Sequence, residues 1–483
     1  MVRIADVSRQ RRGPAPSPGA PGRPFRYLCP VRRIERLAAP EPDRVVSLVF
    51  EDGPAAAPPR PGSSGTRWRG NGPDGRRKSP SDAGITDIIL DILAAYGASA
   101  TFAVIGSTAS NYPDEPGPAG SGQSGGLAYD HYPEYERDAL GGVVSQGETV
   151  RRLLADGHEL CNHSYRHIPF GPQPGGQRRR VHHLDADSAL DDLLALHNYV
   201  RESFGVEMRL GRPPHLVDGP AFDLYRTLGY NYVGMGCDGG GRQASSGSYD
   251  NDVERMVLGL QRTLEKDARA LSGWIISYKD GYDLSGQSPV VTTLPRVMQL
   301  FRNYGYRAVT VSALLARAPF ADLGAGHPAF AAVTDLLRRG FWVACRDNEV
   351  RPDAPVERGD LAVWSLGTVE PGHAGGETAV YADVPVGHPY RWHVEEAARR
   401  GFWRGLGGKG LSRPADPGAR GSRVFGLRDT VGLDEFREVM GNAGVEVAKI
   451  ETAGAEAGTG IGGSLTRARA LTMIHEALGG DAG

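Results

Sequence analysis

Apolar and polar positions alternate between two periods along the first two thirds of the chain. Val45-Val46-Ser47-Leu48-Val49-Phe50 is an almost unbroken apolar run that stops at Glu51-Asp52-Gly53-Pro54. A run of that length bounded by turn residues predicts a strand covered on both faces, with two carboxylates at its C-terminal end. Ile85, Ile88, Ile89, Ile92 and Leu93 keep helical spacing up to Gly97, and Ala100 to Ile105 predicts a second strand ending at Gly106. The alternation continues with a helix at Thr149 to Ala155, a short strand at His158 to Cys161, a helix at Ala186 to Phe204 and a strand near Glu207 to Leu210. A helix near Phe222 to Leu228, a strand near Tyr232 to Gly234, a helix from Val253 to Ala270, a strand Trp274 to Tyr278, a helix Leu294 to Tyr304 and a strand Arg307 to Thr310 complete it. Strands alternating with helices over about 270 residues predict an α/β chain whose parallel sheet closes into a distorted (β/α) barrel.

Two Pro- and Gly-rich stretches, Ala55 to Ala83 and Ser107 to Gly147, interrupt this pattern and read as surface insertions. Residues 1–43 read as a flexible basic arm. At 483 residues two or three domains are expected. A net charge of −2 gives no overall basic field for nucleic acid. Cys29, Cys161, Cys237 and Cys345 are widely spaced, which supports neither a disulfide framework nor a zinc knuckle. No apolar run reaches transmembrane length, and none of signal-peptide length opens the chain.

The barrel reading puts chemistry just after the strands. Glu51 and Asp52 follow the first strand, and two adjacent anions are costly unless they share a cation or a proton. His163-Ser164-Tyr165-Arg166-His167 offers two imidazoles four residues apart, which on a helical turn would point the same way. Asp52, His163 and His167 then form a three-ligand set for a divalent metal with open positions for water and substrate. Glu51 beside them is a candidate base for that water.

Phe50-Glu51-Asp52-Gly53-Pro54, Ala100-Thr101-Phe102, Gly157-His158-Glu159 with Asn162 to His167, and Arg212-Pro213-Pro214-His215 resemble the ordered motifs of the polysaccharide deacetylases. The resemblance covers about residues 44–316. It implies hydrolysis of an N- or O-acetyl group from a glycan such as chitin, xylan or peptidoglycan. It also implies a divalent metal, zinc first and cobalt or nickel next. On it, Asp52, His163 and His167 match the metal ligands, Glu51 the general base, and Arg212 the arginine that orients the base. Asp238 matches a later acidic motif more loosely, as a substrate contact. The family usually has Asp where this chain has Glu51, a displacement of the carboxylate by on the order of an ångström. It usually offers a His in a Leu-His-Asp context as general acid, where this chain has Lys279-Asp280. Lys279 is therefore either a proton donor or a structural lysine paired with Asp280. His215, in place of the family's Tyr, is a second candidate acid. His131, His182, His183 and His197 have no partner spacing and read as surface or core-edge residues.

Beyond residue 316 the chain repeats. Phe320-Ala321-Asp322-Leu323 recurs as Tyr381-Ala382-Asp383-Val384, Gly326-His327-Pro328 as Gly387-His388-Pro389, and Arg338 to Trp342 as Arg399 to Trp403, each at an offset of 61 (387 minus 326). This stacked unit resembles the S-layer homology module. The resemblance makes residues 317–479 a mostly helical repeat domain with two clear copies and one weak copy, binding a cell-wall polymer. Arg351-Pro352 and Arg413-Pro414 match its loop. Arg358, Arg420 and Arg467 stand in its signature positions, either gripping anionic polymer or bracing helices. The combined expectation is a metal-dependent deacetylase of an acetylated polysaccharide, anchored to the cell wall. Its rivals are a catalytically impaired glycan-binding protein and a metal-dependent hydrolase of another amide. The repeats point to the cell envelope or the exterior, whereas the missing signal peptide leaves the cytoplasm open.

Overall fold

A computed structural model of the chain describes residues 32–38, 43–59, 83–108, 138, 140–171, 183–239, 248–282, 287–339, 341–344, 347–368, 381, 383–384, 390–404, 423–446 and 465–480, with short strands at 123–124, 127–128 and 413–414. All structural statements concern these residues. Among them no helix is long and apolar enough to cross a membrane.

The strands are β1 (Arg33–Ile34), β2 (Val45–Gly53), β3 (Thr101–Val104), the separate pair β4 (Gln123–Ser124) and β5 (Leu127–Ala128), β6 (Glu159–Asn162), β7 (Leu210–Gly211), β8 (Asn231–Val233), β9 (Cys237–Asp238), β10 (Ile275–Lys279) and β11 (Arg307–Val309). Nine of them form one sheet, in the order β1-β8-β7-β6-β3-β2-β10-β9 with β11 on the first half of β2, and every pairing in it is parallel. The helices between them are α1 (Ile85–Ala95), α2 (Gly147–Ala155), α3 (Ala186–Phe204), α4 (Ala221–Leu228), α5 (Tyr249–Lys266), α6 (Val290–Asn303) and α7 (Val311–Arg317).

Alternation along β2 sorts its side chains between two faces. Val46, Leu48 and Phe50 join the helices in the larger apolar core. Val45 and Val49 face the opposite way, with Ala103, Cys161, Leu210, Val233 and Ile275, and fill the interior. Glu51 continues this inner series. Ser277 and Lys279 continue it from Ile275 on β10, where Lys279 is in register with Glu51.

The reading of residues 1–43 as a flexible arm is corrected at its end. Arg33–Ile34 is a strand paired with β8, and Ile34 and Leu37 are completely buried. Glu35 then accepts a hydrogen bond from Ile275 N at 3.1 Å, and Leu37 N donates to Gly273 O at 2.8 Å. The segment therefore lies between β8 and the start of β10, curling the sheet toward a closed barrel. Its polar residues hid it: Arg33 and Arg36 lie over the rings of Tyr232 and Trp274, leaving only Ile34 and Leu37 as apolar signal.

Described residues from Phe320 to Ala477 form a separate apolar core. Its helices are α8 (Phe330–Arg338), α9 (Arg358–Gly367), α10 (Arg391–Arg399), α11 (Leu433–Asn442) and α12 (Arg467–Ala477). Asp322 accepts from Val350 N and Arg351 N at 2.8 and 2.7 Å, and Asp383 accepts from Phe425, Gly426 and Leu427 N, each at 2.8 Å. These aspartates are the recurring turn of the two copies. The helix starts show where the copies diverge: α10 follows α8 by 391 − 330 = 61 residues, but α11 follows α9 by 433 − 358 = 75. The second copy thus carries 75 − 61 = 14 extra residues before its second helix. The segments leading into α9, α11 and α12 are joined by bridges Pro355 to Thr466 and Glu357 to Thr430, which gathers the three helix starts together.

Candidate active site at the mouth of the barrel

The end of β2 builds the site. A regular strand would send Glu51 and Asp52 to opposite faces, but β2 shifts register against β3 between Glu51 and Gly53. Asp52 is the bulged residue, with φ 78°, so both carboxylates reach the same end of the barrel. Gly53 is required next: a Cβ there would lie 1.9 Å from Asp280 Oδ2.

The two histidines come from the loop after β6. The expectation of a helical turn does not hold, because Ser164 (φ 72°) and His167 (φ 55°) are both left-handed. Instead the loop is folded back by its own polar groups. Asn162 Oδ1 accepts from Ser164 N at 2.9 Å, and Ser164 Oγ accepts from His167 N at 3.0 Å. Asp192 of α3 accepts from Tyr165 N, Arg166 N and Arg166 Nε at 2.8, 3.2 and 2.6 Å. Asp192 was missed as a positioning residue from the sequence, though a signal existed: it is a carboxylate on the same helix face as the buried Ala189, Leu193 and Leu196.

Asp52 Oδ1 lies 3.0 Å from both His163 Nε2 and His167 Nε2, which are 3.2 Å from each other. His163 Nδ1 faces the Arg212 carbonyl at 2.8 Å and must donate its proton there. Burial foremost pushes the His163 pKa down, against its hydrogen bond to Asp52, which raises it. Burial pulls the Asp52 carboxyl up, but the Lys279 ammonium and then the two imidazoles outweigh it and hold the group well below the usual carboxylate range. With Nδ1–H committed to the Arg212 carbonyl, His163 Nε2 at 3.0 Å from Asp52 Oδ1 needs either a second ring proton or a cation shared between them. Three donors each about 2.0–2.2 Å from one zinc ion lie roughly 3.3–3.6 Å apart in a tetrahedral set, a few tenths of an ångström beyond the edges here. Asp52, His163 and His167 are the one metal-ligating group found among the described residues, and they fit a divalent cation.

Glu51 is 2% exposed and Arg212 fully buried. Arg212 Nε donates to Glu51 Oε2 at 2.7 Å, one terminal nitrogen donates to the Gly234 carbonyl, and the other to Ser277 Oγ at 3.2 Å. Lys279 Nζ is 3.2 Å from Glu51 Oε1 and also pairs with Asp52 Oδ2. The alternative pairing of Lys279 with Asp280 is not what forms: Asp280 faces the helices, where its Oδ1 accepts from Thr86 Oγ1 at 2.6 Å. His215 (φ 58°) is half-buried, its ring centroid 4.5 Å from that of His167. Asp238 stands on β9 in register with Ser277, a strand away from the carboxylate pair. His197 contacts the Tyr230 hydroxyl at the edge of the core, His183 is exposed, and His131 and His182 lie outside the described residues.

The arginines expected to grip a polymer have other partners. Arg467 is buried, with Nε donating to the Val350 carbonyl at 2.6 Å, a pair with Asp360, and its guanidinium 5.1 Å from the Trp364 ring. Arg358 is buried with Nε donating to Glu435 Oε1 at 2.6 Å and a terminal nitrogen donating to the Phe425 carbonyl at 3.2 Å. Each begins one helix and pairs with the third residue of another, so both brace the three gathered helix starts. Arg420 lies outside the described residues, and the 14-residue insertion makes Leu433, first residue of α11, the structural counterpart of Arg358.

The curled parallel sheet thus gathers a carboxylate and two histidines at one end. The family model described as polysaccharide deacetylase matches residues 38–233, which supports the resemblance read from the motifs. The chain is 21% identical over 271 residues to a bifunctional xylanase/deacetylase of Pseudobutyrivibrio xylanivorans, covering 56% of this chain. It spans 30% of the length of that relative. Among solved structures, the peptidoglycan deacetylase PdaC from Bacillus subtilis is 21% identical with a TM-score of 0.34, covering 57% of this chain and 92% of that one. The chitin deacetylase from Colletotrichum lindemuthianum is 21% identical with a TM-score of 0.38, covering 62% and 100%.

Proposed function

We propose that the chain is a metal-dependent hydrolase that removes acetyl groups from a polysaccharide. The observation that carries this reading is the triangle of Asp52 Oδ1, His163 Nε2 and His167 Nε2, with the Glu51–Arg212 pair beside it. A divalent cation held by Asp52, His163 and His167, zinc first, would supply Lewis acidity toward a carbonyl oxygen and lower the pKa of an attacking water. Glu51 would take a proton from the attacking water. Arg212, anchored to the Gly234 carbonyl and Ser277, keeps the Glu51 carboxylate oriented toward it. As the acetyl carbon–nitrogen or carbon–oxygen bond breaks, the leaving amine or alkoxide needs a proton back. His215, half-buried beside His167, and Lys279 are the candidate donors. The products are acetate and a deacetylated sugar.

The test is acetate release from chitin, peptidoglycan and acetylated xylan fragments, with and without a chelator. Turnover of a small amide with none of these glycans would favour a hydrolase of another bond. A second reading has its own support: Glu51 is engaged by both Arg212 and Lys279, which suits a glycan-binding protein without turnover. Wall attachment through residues 317–479, with a cell-envelope location, completes the proposal, supported by the repeated aspartate turns and gathered helix starts. Co-sedimentation of the full chain with purified cell wall tests it.

A further inference from the structure

Lys279 makes contacts that a proton donor does not need. It sits on β10 directly opposite Glu51 on β2, with only 18% of its side chain exposed, so the strand register sets its position. Its ammonium reaches the proposed base, through Glu51 Oε1, and a proposed metal ligand, through Asp52 Oδ2. The carboxylate that offers Oδ1 to both imidazoles thus offers its other oxygen to the lysine.

We propose that Lys279 is a built-in cation that weakens divalent-metal binding at Asp52, His163 and His167 and stabilises the metal-free protein. The inference rests on the metal-site reading above and goes beyond it. Two anions, Glu51 and Asp52, are matched by two cations, Arg212 and Lys279, so the four groups balance without any metal. A divalent ion would add two positive charges to this balanced and largely buried set. Like charges a few ångströms apart repel strongly where water is excluded. The ion would also draw on Asp52 charge already shared with the ammonium. A neutral side chain at this position would leave the two acids short of a cation and make the same three ligands a stronger metal trap.

The experiment measures zinc dissociation constants for the full chain by competition with a chromophoric chelator, together with thermal unfolding in excess chelator. Lys279→Met should bind zinc at least tenfold more tightly than wild type. It should melt at a lower temperature in chelator and gain more from added zinc. Lys279→Arg, which keeps the charge, should stay within about threefold of wild type in zinc affinity. Zinc affinity of Lys279→Met equal to or weaker than wild type overturns the inference, as does equal tightening by Lys279→Arg. Should Lys279→Met fail to fold, Lys279→Gln is read by the same criteria. Asp52→Ala separates the two layers of the argument. Uptake that it abolishes, with Lys279→Met no tighter, overturns the role of Lys279 alone; uptake that it leaves unchanged, or no uptake by any variant, overturns the metal site and this inference together.

Discussion

Arg212→Met is the sharpest structural test of the proposed base and its setting. The guanidinium is fully buried and spends its donors on Glu51, Gly234 and Ser277. Removing one partner of a buried ion pair costs about 3–5 kcal/mol, because the other charge stays buried. Here Lys279 remains 3.2 Å from Glu51, which keeps the loss near about 3 kcal/mol. The Gly234 carbonyl loses its donor, adding about 1 kcal/mol. A total of about 4 kcal/mol lowers the melting temperature of a domain this size by roughly 8–16 °C. Urea unfolding followed by near-ultraviolet circular dichroism measures it. The double variant Glu51→Gln with Arg212→Met should be less destabilised than the sum of the singles by roughly 2 kcal/mol, since Lys279 and Asp52 then pair with each other and no buried charge is left without a partner. A loss under about 1 kcal/mol for Arg212→Met, or strict additivity, would refute the argument.

Three further outcomes follow from the same geometry. His167→Ala should lose zinc by elemental analysis while retaining native circular dichroism, because the His167 ring serves the ligand triangle and the loop is held by Asn162, Ser164 and Asp192. Asp280 should make stability fall with rising pH. Burial foremost, helped by Asp138, Asp52 and Asp87 and opposed by the Thr86 hydroxyl, pushes its carboxyl up to about 8. The unfolded chain releases this proton near pH ~4 while the folded chain keeps it to about 8. Stability is therefore lost at up to about 1.4 kcal/mol per pH unit across that window and levels off above it. Asp280→Asn should flatten this slope, read as urea midpoints at a series of pH values. Arg467→Ala should cost about 3–5 kcal/mol in the unit containing residues 320–478, read by tryptophan fluorescence because Trp364 lies beneath the guanidinium.

The apolar run ending at Glu51-Asp52 was legible because a buried parallel strand needs continuous apolar residues and its C-terminal end is where barrels gather chemistry. That both carboxylates serve one site was read from their adjacency and the family motif; what alternation could not supply is the means, a bulge with a left-handed Asp52. The pair of His163 and His167 was found by spacing, but through a helical geometry that the loop does not adopt. Backbone hydrogen bonds from Asn162, Ser164 and Asp192 do the bending there. Strand β1 was missed because its neighbours are arginines covering aromatic rings. In the C-terminal unit the offset of 61 located the first helices and aspartate turns. The insertion before α11 displaced the second signature to Leu433, a shift visible only once the helix starts are known.

The proposed reaction needs Glu51 as base beside a metal held by Asp52, His163 and His167. Metal content and acetate release measured on the same sample, for wild type and Glu51→Ala, test this most directly. The expected result is one zinc per chain in both proteins, with acetate released from an acetylated glycan by wild type and lost on Glu51→Ala or on chelation. A wild-type chain carrying its full zinc complement that releases no acetate from chitin, peptidoglycan or xylan fragments would contradict it.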